Sequence, residues 1–342
     1  MKALASKIIL FFLCFTLSSS FAQTIRRVNN TGIPLGTNMY STLQAAHNAA
    51  ASGDIIYIEG SGAFYAGATI TKRLTIIGPG YLLAENYPSF ADVRPGEFAF
   101  NANDIFFNAG SEGSILTGCS GFINGLEVKI NVSNITITRN RSLTVDFDNV
   151  DAAPLTGIVI TKNYDLRVDS FSSSASISIV VSHNYINSII LPLNFSGVFS
   201  NNILDATTSL YNFNLASNIW ISGSVSGSSF TNCTFSNNID ARALVNSNAF
   251  GTTNGNQANV DKTTLFVGTT GNSTDGQWKL KAGSPAIGAG FGGIDCGMFG
   301  GLDPYALSGI VAADYPTITS FTTSGTGNST TPLTVKISTK SN

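Results

Sequence analysis

The chain has 342 residues, of which 11% are charged, and its formal net charge at pH 7 is −2. Soluble proteins usually carry about 25% charged residues, so Gly, Asn, Ser and Thr supply much of the polarity here. A nearly neutral, slightly acidic chain lacks the basic surface that attracts nucleic acid or anionic membrane, so neither is an expected partner.

The beginning of the chain has the pattern of a secretory signal peptide. Lys2 and Lys7 precede an uncharged apolar run, Ile8 to Leu17, and Ser20-Phe21-Ala22 supplies the small residues of a cleavage site. The run is shorter than the roughly 20 apolar residues that span a bilayer. We therefore expect residues 1–22 to be removed and the mature chain to be secreted or held at a bacterial cell surface, with no transmembrane segment left.

The cysteines give no sign of a metal site. Cys119, Cys233 and Cys296 remain after the signal peptide is removed, and their spacing matches no metal-binding motif. An odd number also excludes a complete disulfide framework. We expect all three to be buried packing residues.

One helix is predicted near the start of the mature chain, over Ser41 to Ala51. Ser41 or Thr42 can cap its N-terminus, and its many alanines favour helix. Strands are predicted to follow at Ile55–Ile58 and Leu74–Ile77. A short amphipathic helix in front of the first coil would cover the open end of a solenoid, so we predict an N-terminal capping helix.

Five later stretches repeat one short phrase, in which apolar residues alternate with polar ones and the last residue is Asn. The phrase ends, at intervals of about twenty residues with a wider gap before the last, at Asn140, Asn163, Asn184, Asn202 and Asn238. In the first copy Ile135 and Ile137 alternate with Thr136 and Thr138, which is typical of a half-buried strand. This period predicts a solenoid, whose units bury their apolar stripes by stacking on one another.

The asparagines that end the phrases suit a sharp bend. Asn tolerates left-handed backbone angles, and its amide bonds nearby backbone groups. On stacked coils these amides can also bond to each other. We therefore predict a structural ladder inside one corner, formed by Asn140, Asn163, Asn184, Asn202 and Asn238.

The remaining segments are less regular. The clear coils run from Asn134 to about Asp240, and residues 251–275 are predicted to form a long excursion or an irregular coil. Residues 276–310 contain many glycines and suit a C-terminal cover. The Ser/Thr-rich tail, residues 311–342, has one strand-like run, Leu333 to Ile337.

Two pairs of segments carry a resemblance to known proteins. Gly53-Asp54-Ile-Ile-Tyr-Ile58 and Leu74-Thr-Ile-Ile-Gly-Pro-Gly80 look like the opening of pectate-lyase-like right-handed parallel β-helix proteins. Gly283-Ser-Pro-Ala-Ile-Gly-Ala-Gly290 and Asp295-Cys-Gly-Met-Phe-Gly-Gly301 are similar to the closing segment of bacterial surface β-helix proteins. With the coils, the resemblance covers residues 40–305.

The resemblance implies an all-β fold, a right-handed parallel β-helix over residues 23–310 with an N-terminal helix cap. Such proteins include lyases, hydrolases, phage spikes and many non-catalytic surface proteins, so the fold does not assign the chemistry. The active enzymes carry His, Asp and Arg signatures, such as the paired Asp with Gly-His-Gly of the pectin hydrolases. The chain contains none of these signatures.

One group of polar residues is expected to meet on the outside of the coils. Aligning the coils on Asn140 and Asn163 places Leu143-Thr-Val-Asp146 beside Leu166-Arg-Val-Asp169. Leu and Val would point inward, and adjacent strands lie about 4.8 Å apart, so the two terminal carboxylates become neighbours that repel each other. The residues expected to point outward on this facet are Thr144, Asp146, Asp148, Arg167 and Asp169.

Three interpretations of this facet remain open. It is a solvated surface cluster balanced by Arg167, or a Ca²⁺ site in which Asp146, Asp148 and Asp169 supply the oxygen ligands. In the third, a lyase site, Ca²⁺ neutralises the carboxyl group of a uronate and Arg167 or Arg141 takes the neighbouring proton. Arginine is a poor base, which weighs against the third interpretation.

Two aromatic and two histidine side chains are further candidates. Tyr164 and Tyr185 follow ladder asparagines at equivalent places, where they form either an aromatic strip for sugar rings or part of the corner packing. His47 lies in the predicted helix and His183 at a coil bend. We expect both histidines to be structural.

The sequence therefore predicts a secreted or surface scaffold that associates with extracellular polysaccharide and has no catalytic set. One alternative is a Ca²⁺-dependent uronate lyase with Arg167 as its catalytic residue, and another is an adhesin that binds a protein partner. The predicted binding residues are Thr144, Asp146, Asp148, Asp169, Tyr164 and Tyr185.

Overall fold

The structure is a computed structural model that describes residues 23–32, 36–87, 97–98, 104–121, 125–147, 153–170, 173–206, 208–223, 230–242, 250–310, 317–323, 325–328 and 330–340. The predicted signal peptide lies outside these residues. The helices are short: α1 is Leu43–Ala49, α2 is Leu83–Asn86, and single 3₁₀ turns are Lys262–Thr264, Gly276–Trp278, Phe291–Gly293 and Leu307–Gly309. None of the helices in the described ranges has the length and apolar character needed to cross a membrane.

The described part of the chain is built mainly from short strands. The strands up to the middle of the chain are β1 (Ile25–Val28), β2 (Met39–Tyr40), β3 (Ile55–Ile58), β4 (Ala68–Ile70), β5 (Thr75–Ile77), β6 (Glu97–Phe98), β7 (Ile105–Phe107), β8 (Ile115–Thr117), β9 (Ser120–Gly121), β10 (Leu126–Ile130), β11 (Thr136–Thr138), β12 (Arg141–Asp146) and β13 (Leu155–Thr161). The later strands are β14 (Tyr164–Asp169), β15 (Ile177–Ser182), β16 (Tyr185–Ile190), β17 (Phe195–Ser200), β18 (Ile203–Asp205), β19 (Thr208–Tyr211), β20 (Phe213–Ala216), β21 (Ile219–Ser222), β22 (Phe230–Thr231), β23 (Thr234–Ser236), β24 (Ile239–Asp240), β25 (Thr317–Thr323) and β26 (Val335–Lys340).

Most of these strands belong to two long sheets made of parallel pairs. The first sheet has the order β2-β1-β3-β5-β8-β11-β13-β15-β17-β20-β23. The second has the order β24-β21-β18-β16-β14-β12-β10-β7-β4, with β6, β9, β19 and β22 attached to it. Because the chain alternates between the sheets, most strands pair with a strand one coil away. This is the topology of a parallel β-solenoid, so the predicted solenoid and the all-β fold class are confirmed.

The interior is filled by rows of apolar side chains in register from coil to coil. In the first sheet one row passes through Ile137, Ile160, Val181, Phe199 and Leu215. Each of these residues is at most 1% exposed. Burial of one such side chain contributes about 1.5–3 kcal/mol, and a coil gains it only when its neighbours are present. The alternation that marks the strands in the sequence therefore also forms the core.

The predicted asparagines form a hydrogen-bonded ladder at one corner. Within it, the Asn184 Oδ1 accepts from the backbone N–H of Asn163 at 2.8 Å and from its amide at 3.0 Å. The same pair of bonds joins all consecutive members from Asn140 to Asn256, through Asn163, Asn184, Asn202, Asn218 and Asn238.

Two of these members, Asn218 and Asn256, were not identified from the sequence. Asn218 ends Phe213-Asn-Leu-Ala-Ser-Asn218, a phrase that fits the repeat except that Ala216 stands at a usual Ser/Thr position. Asn256 follows residues 250–255, which form no strand in the described part of the chain. The wider gap before Asn238 is therefore one additional coil.

The sharp bend at this corner is made by the residue before each ladder asparagine. Arg139, Lys162 and His183 have φ values of 55°, 58° and 58°. The expectation that the asparagines themselves adopt left-handed angles is wrong, because their side chains must turn inward to reach the ladder. A left-handed non-glycine residue costs about 1–2 kcal/mol, which the ladder bonds offset.

A second apolar layer covers the outside of the same corner. It is formed where the residues directly after the ladder asparagines pack against residues 261–310, which we call the C-terminal segment. The coil residues are Tyr164, Tyr185, Ile203, Ile219 and Ile239, and their main partners are Leu265, Ala286, Cys296, Met298 and Tyr305. The predicted C-terminal cover therefore lies along the side of the coils.

Polar contacts fix this segment to the left-handed corner residues. The contacts, from the last coils towards the first, are Asn237 Nδ2 to Ala289 O (2.9 Å), Phe291 N to Ser217 Oγ (2.9 Å), Asn201 Nδ2 to Asp295 O (3.1 Å) and the ion pair of Lys162 with Asp303. Because each contact involves a different coil, the segment connects coils that are distant along the chain.

The helix α1 packs its Leu43, Ala46 and His47 against the first coils. Thr42 Oγ1 caps it by accepting from Ala45 N at 3.1 Å, as the sequence predicts. Just after the helix, Asp54 is 3% exposed and accepts from the backbone N–H groups of Ala51 and Thr24.

The strands of the tail pair only with each other. β25 and β26 form an antiparallel two-stranded sheet. The strand-like run Leu333 to Ile337 overlaps β26, and neither tail strand extends a sheet of the solenoid among the described residues.

Candidate functional site

The register between β12 and β14 is the one that alignment on the asparagines predicts. Thr144 lies opposite Arg167, and Asp146 lies opposite Asp169. Val145 and Val168 between them are fully buried. The predicted facet is therefore brought together by the parallel pairing of these two strands.

The facet continues onto β10, which was not predicted from the sequence. Glu127 lies opposite Thr144 and Lys129 opposite Asp146. The signal was present in Leu126-Glu-Val-Lys-Ile130, which has the period of a strand, but Cys119 instead of Asn stands at the ladder position before it. We use the name charged facet for the residues Asp104, Glu127, Lys129, Thr144, Asp146, Arg167 and Asp169.

Lys129 lies at the centre of three carboxylates. Its Nζ is 3.3 Å from Glu127 Oε1, 3.6 Å from Asp104 Oδ2 and 3.7 Å from Asp146 Oδ2. Burial opposes the charge of this ammonium, but the carboxylates, Glu127 first, raise the pKa of Lys129. Lys129 is thus a firmly charged counterion and is not suited to act as a base.

The two stacked aspartates are nearly buried, which does not fit the interpretation as a solvated surface cluster. Asp146 is 5% exposed and Asp169 7%. Arg167 Nη2 lies 3.6 Å from Asp169 Oδ2, and Ser188 Oγ donates to Asp169 Oδ1 at 3.3 Å. Burial, with a contribution from Asp146, raises the pKa of Asp169 despite these two favourable contacts.

The neighbouring carboxylates also affect the pKa of Glu127. Burial raises its pKa, and so do its hydrogen bond with Asp146 and the charge of Asp104, while Lys129 opposes them. Four carboxylates face two cations on the charged facet, so the surface remains negative. A ligand with its own carboxylates would meet repulsion here.

The predicted Ca²⁺ ligands are Asp146, Asp148 and Asp169, and Asp148 lies outside the described residues. Among the residues that are described, no three His, Cys, Asp or Glu side chains gather as a metal site. Lys129 also neutralises Asp146 directly. The described donors do not fit Ca²⁺, which takes six to eight oxygen ligands.

Tyr164 and Tyr185 are buried, each only 6% exposed. Their rings stack with centroids 5.1 Å apart, and the Trp278 ring lies 4.8 Å from that of Tyr185. Tyr164 donates to Thr274 O at 2.8 Å. The two rings are part of the corner packing, and the C-terminal segment covers them, so they present no open strip to a sugar ring. Arg141, opposite Tyr164, lies at the other end of β12 from Asp146.

The histidines and cysteines have packing surroundings. His47 is 5% exposed and accepts from Thr71 N at 3.1 Å through Nε2, and His183 is part of the corner. Cys119 and Cys296 are buried, which raises the pKa of each to about 12. Cys233 packs against the core but is only partly buried, so the expectation that all three cysteines are buried is wrong for this one.

An open groove of about 930 Å³ lies next to the charged facet on the second sheet. Ser188 and Ile190 of β16 and Ser209 and Tyr211 of β19 form its floor, and Leu193 stands at one side. The groove was not predictable from the repeat, because its wall is a turn between β16 and β17 that lies outside the repeated phrase.

The outer face of the first sheet is different in character. No strand of this sheet from β3 to β23 contains a charged residue. Its outward rows pass through Thr117, Thr138, Thr161, Ser182 and Ser200, and through Thr136, Val159, Val180 and Val198. Of the two sheets, only the second therefore carries the charged facet.

Together these features define a parallel β-solenoid with one charged, grooved face and a corner sealed by its own C-terminal segment. Comparisons with protein-family models, with curated proteins and with solved structures found no match for the chain.

Proposed function

We propose that the chain is a secreted or cell-surface β-solenoid that associates with extracellular polysaccharide through the outer face of its second sheet, as a scaffold without catalysis. The observation that carries the proposal is the uneven distribution of charge. In a chain with only 11% charged residues, Glu127, Lys129, Asp146, Arg167 and Asp169 all lie on adjacent strands of one face.

Several features support a role in binding an extended chain. Parallel strands about 4.8 Å apart present the facet as rows of polar groups across several coils. Arg167 remains 53% exposed in its side chain, so its guanidinium can donate to a ligand. Secretion and the right-handed, pectate-lyase-like form of the solenoid with its helix cap rest on the sequence pattern and belong to the proposal.

The second candidate is the uronate lyase, which the stacking of Asp146 and Asp169 beside Arg167 favours. Two observations oppose it. Lys129 rather than a metal ion is positioned to neutralise Asp146, and arginine stays protonated in proteins, so Arg167 is a poor base. The scaffold proposal needs neither a base nor a metal.

Pull-down on insoluble and immobilised polysaccharides tests the proposal with the full mature chain. We expect retention on at least one polysaccharide and a several-fold loss in Arg167→Ala. Arg27→Ala is the matched control, because Arg27 is a similarly exposed, ion-paired arginine on β1 of the first sheet.

Other outcomes of the same experiment would reject the scaffold proposal. Release of ultraviolet-absorbing unsaturated uronate, abolished by a chelator and by Arg167→Ala, would establish the lyase. Retention on cells without retention on any glycan would establish an adhesin with a protein partner.

A further inference from the structure

We infer that the groove beside the charged facet is a binding site for neutral sugar rings, an inference that rests on the proposed function and assigns its ligand class. The groove measures about 930 Å³, within the range of about 300–1,000 Å³ that is usual for small-ligand sites. It lies in register with the facet, because Asp169 is opposite Ile190 and Ile190 is opposite Ser209.

One side-chain hydroxyl group at the groove is buried and unpaired. Ser170 lines the groove and is 2% exposed. Its Oγ has no hydrogen-bond partner within the part of the chain that the structure describes. Leaving such a group unpaired costs about 1–3 kcal/mol, so a ligand hydroxyl that bonds to it would be favoured.

The other lining groups match the two sides of a sugar ring. Ile190 and Leu193 are large apolar side chains that are 43% and 67% exposed, and the Tyr211 ring stands near them on β19. These offer apolar surface to the C–H face of a ring, while Ser188 and Ser209 offer hydroxyl groups to its edge. A few polar groups on a mainly apolar lining are what orient small ligands.

The charges around the groove select a neutral sugar over a uronate. None of the described residues that line the groove is charged. The nearest facet cation, Arg167, lies opposite Ser188, and Asp169 at 3.6 Å partly neutralises its charge while its exposed N–H groups can still donate to a hydroxyl group. A uronate in the groove would therefore meet a facet with four carboxylates and two cations, which repels its own carboxylate, whereas a neutral ring would not be repelled.

Titration calorimetry of the full mature chain with neutral oligosaccharides (β-1,4-glucan, β-1,4-xylan and chitin fragments) and with oligogalacturonate tests the inference. We expect a neutral probe to bind and Ser170→Ala to weaken it about tenfold, the effect of one lost hydrogen bond. Tyr211→Ala should weaken it at least as much. Tyr57→Ala, which removes an outward, partly buried tyrosine of the first sheet, should have no effect.

The Ser170→Ala variant separates binding from a structural role. If the hydroxyl were only a packing defect, its removal would leave affinity unchanged and would keep or raise the stability in urea. Binding of a neutral sugar that both groove variants leave intact, or binding of oligogalacturonate alone, would overturn the groove site while the proposed function stands. Failure of every saccharide and polysaccharide to bind would overturn both.

Discussion

The side-chain oxygen of Asn163 accepts two hydrogen bonds from Asn140, one from the backbone N–H at 2.9 Å and one from the side-chain amide at 3.1 Å. The amide of Asn140 also donates to Leu116 O and Thr138 O. Each ladder residue therefore satisfies groups of its own coil and of both neighbours, which a buried corner requires. The ladder thus links neighbouring coils through residues that lie about twenty positions apart in the sequence.

Replacing Asn184 by Ala should lower the free energy of unfolding by about 3 kcal/mol or more. The substitution leaves two N–H groups of Asn163 without their acceptor and the carbonyl groups that bond to the Asn184 amide without their donor. Each buried polar group that loses its partner costs about 1–3 kcal/mol. Urea unfolding followed by circular dichroism measures the change. Asn214→Ala is the control, because this exposed side chain bonds only to Thr234 among the described residues, and it should change stability by about 0.5 kcal/mol or less. Equal effects of the two substitutions would contradict the role of the ladder.

Asp275 holds the C-terminal segment in place. It is fully buried and accepts from Tyr305 Oη and Ser308 N, both at 2.8 Å, and from Asn86 Nδ2 at 2.9 Å. Asp275→Ala should destabilise the protein by about 3 kcal/mol, since several charge-assisted bonds are lost. Limited proteolysis should then cut within residues 261–310 before the coils. Asp261→Ala, at an exposed position of the same segment, should leave the cleavage pattern unchanged, and a coil cut first would argue against this role.

The two histidines of the chain should make stability fall as the solution becomes acidic. Burial lowers the pKa of His47 and, together with Lys162, that of His183. The unfolded chain therefore takes up protons first, and the free energy of unfolding decreases as pH falls below about 6.5. In the double variant His47→Gln and His183→Asn, the urea midpoint should change less between about pH 6.5 and pH 5 than it does in the unmodified protein. If the urea midpoint of the double variant changes with pH as strongly as that of the unmodified protein, groups other than the two histidines cause the effect.

The sequence predicts the coils well because the same residues that repeat also form the core and the ladder. Aligning Asn140 with Asn163 was enough to predict that Asp146 lies opposite Asp169. Contacts made by segments without a repeat were not predictable in this way. The burial of Tyr164 and Tyr185 depends on the C-terminal segment, and Lys129 belongs to a coil that has Cys119 instead of Asn at the ladder position.

Asp169→Asn should keep or raise stability at pH 7. The pKa of Asp169 is raised in the folded state. Its contribution to stability is therefore complete below its pKa in the unfolded chain, about 3.9, and is lost as pH rises through its pKa in the folded protein. Asn has nearly the same shape and stays neutral, which removes the repulsion from Asp146. Urea curves at pH 7 and pH 4 measure the difference, and a clear loss at pH 7 would show that the pairing with Arg167 outweighs burial.

Lys129→Met should have the opposite effect, because it leaves Glu127, Asp104 and Asp146 without their shared cation. Met preserves most of the apolar stem, so the change isolates the charge. We expect a loss of about 1–3 kcal/mol at pH 7, between the values for exposed and buried ion pairs. The loss should shrink at pH 4, where the carboxylates begin to take up protons. Lys279→Met, outside the facet, should show no such pH dependence, and an equal loss for Lys129→Met at both pH values would mean that packing, not charge, is what Lys129 supplies.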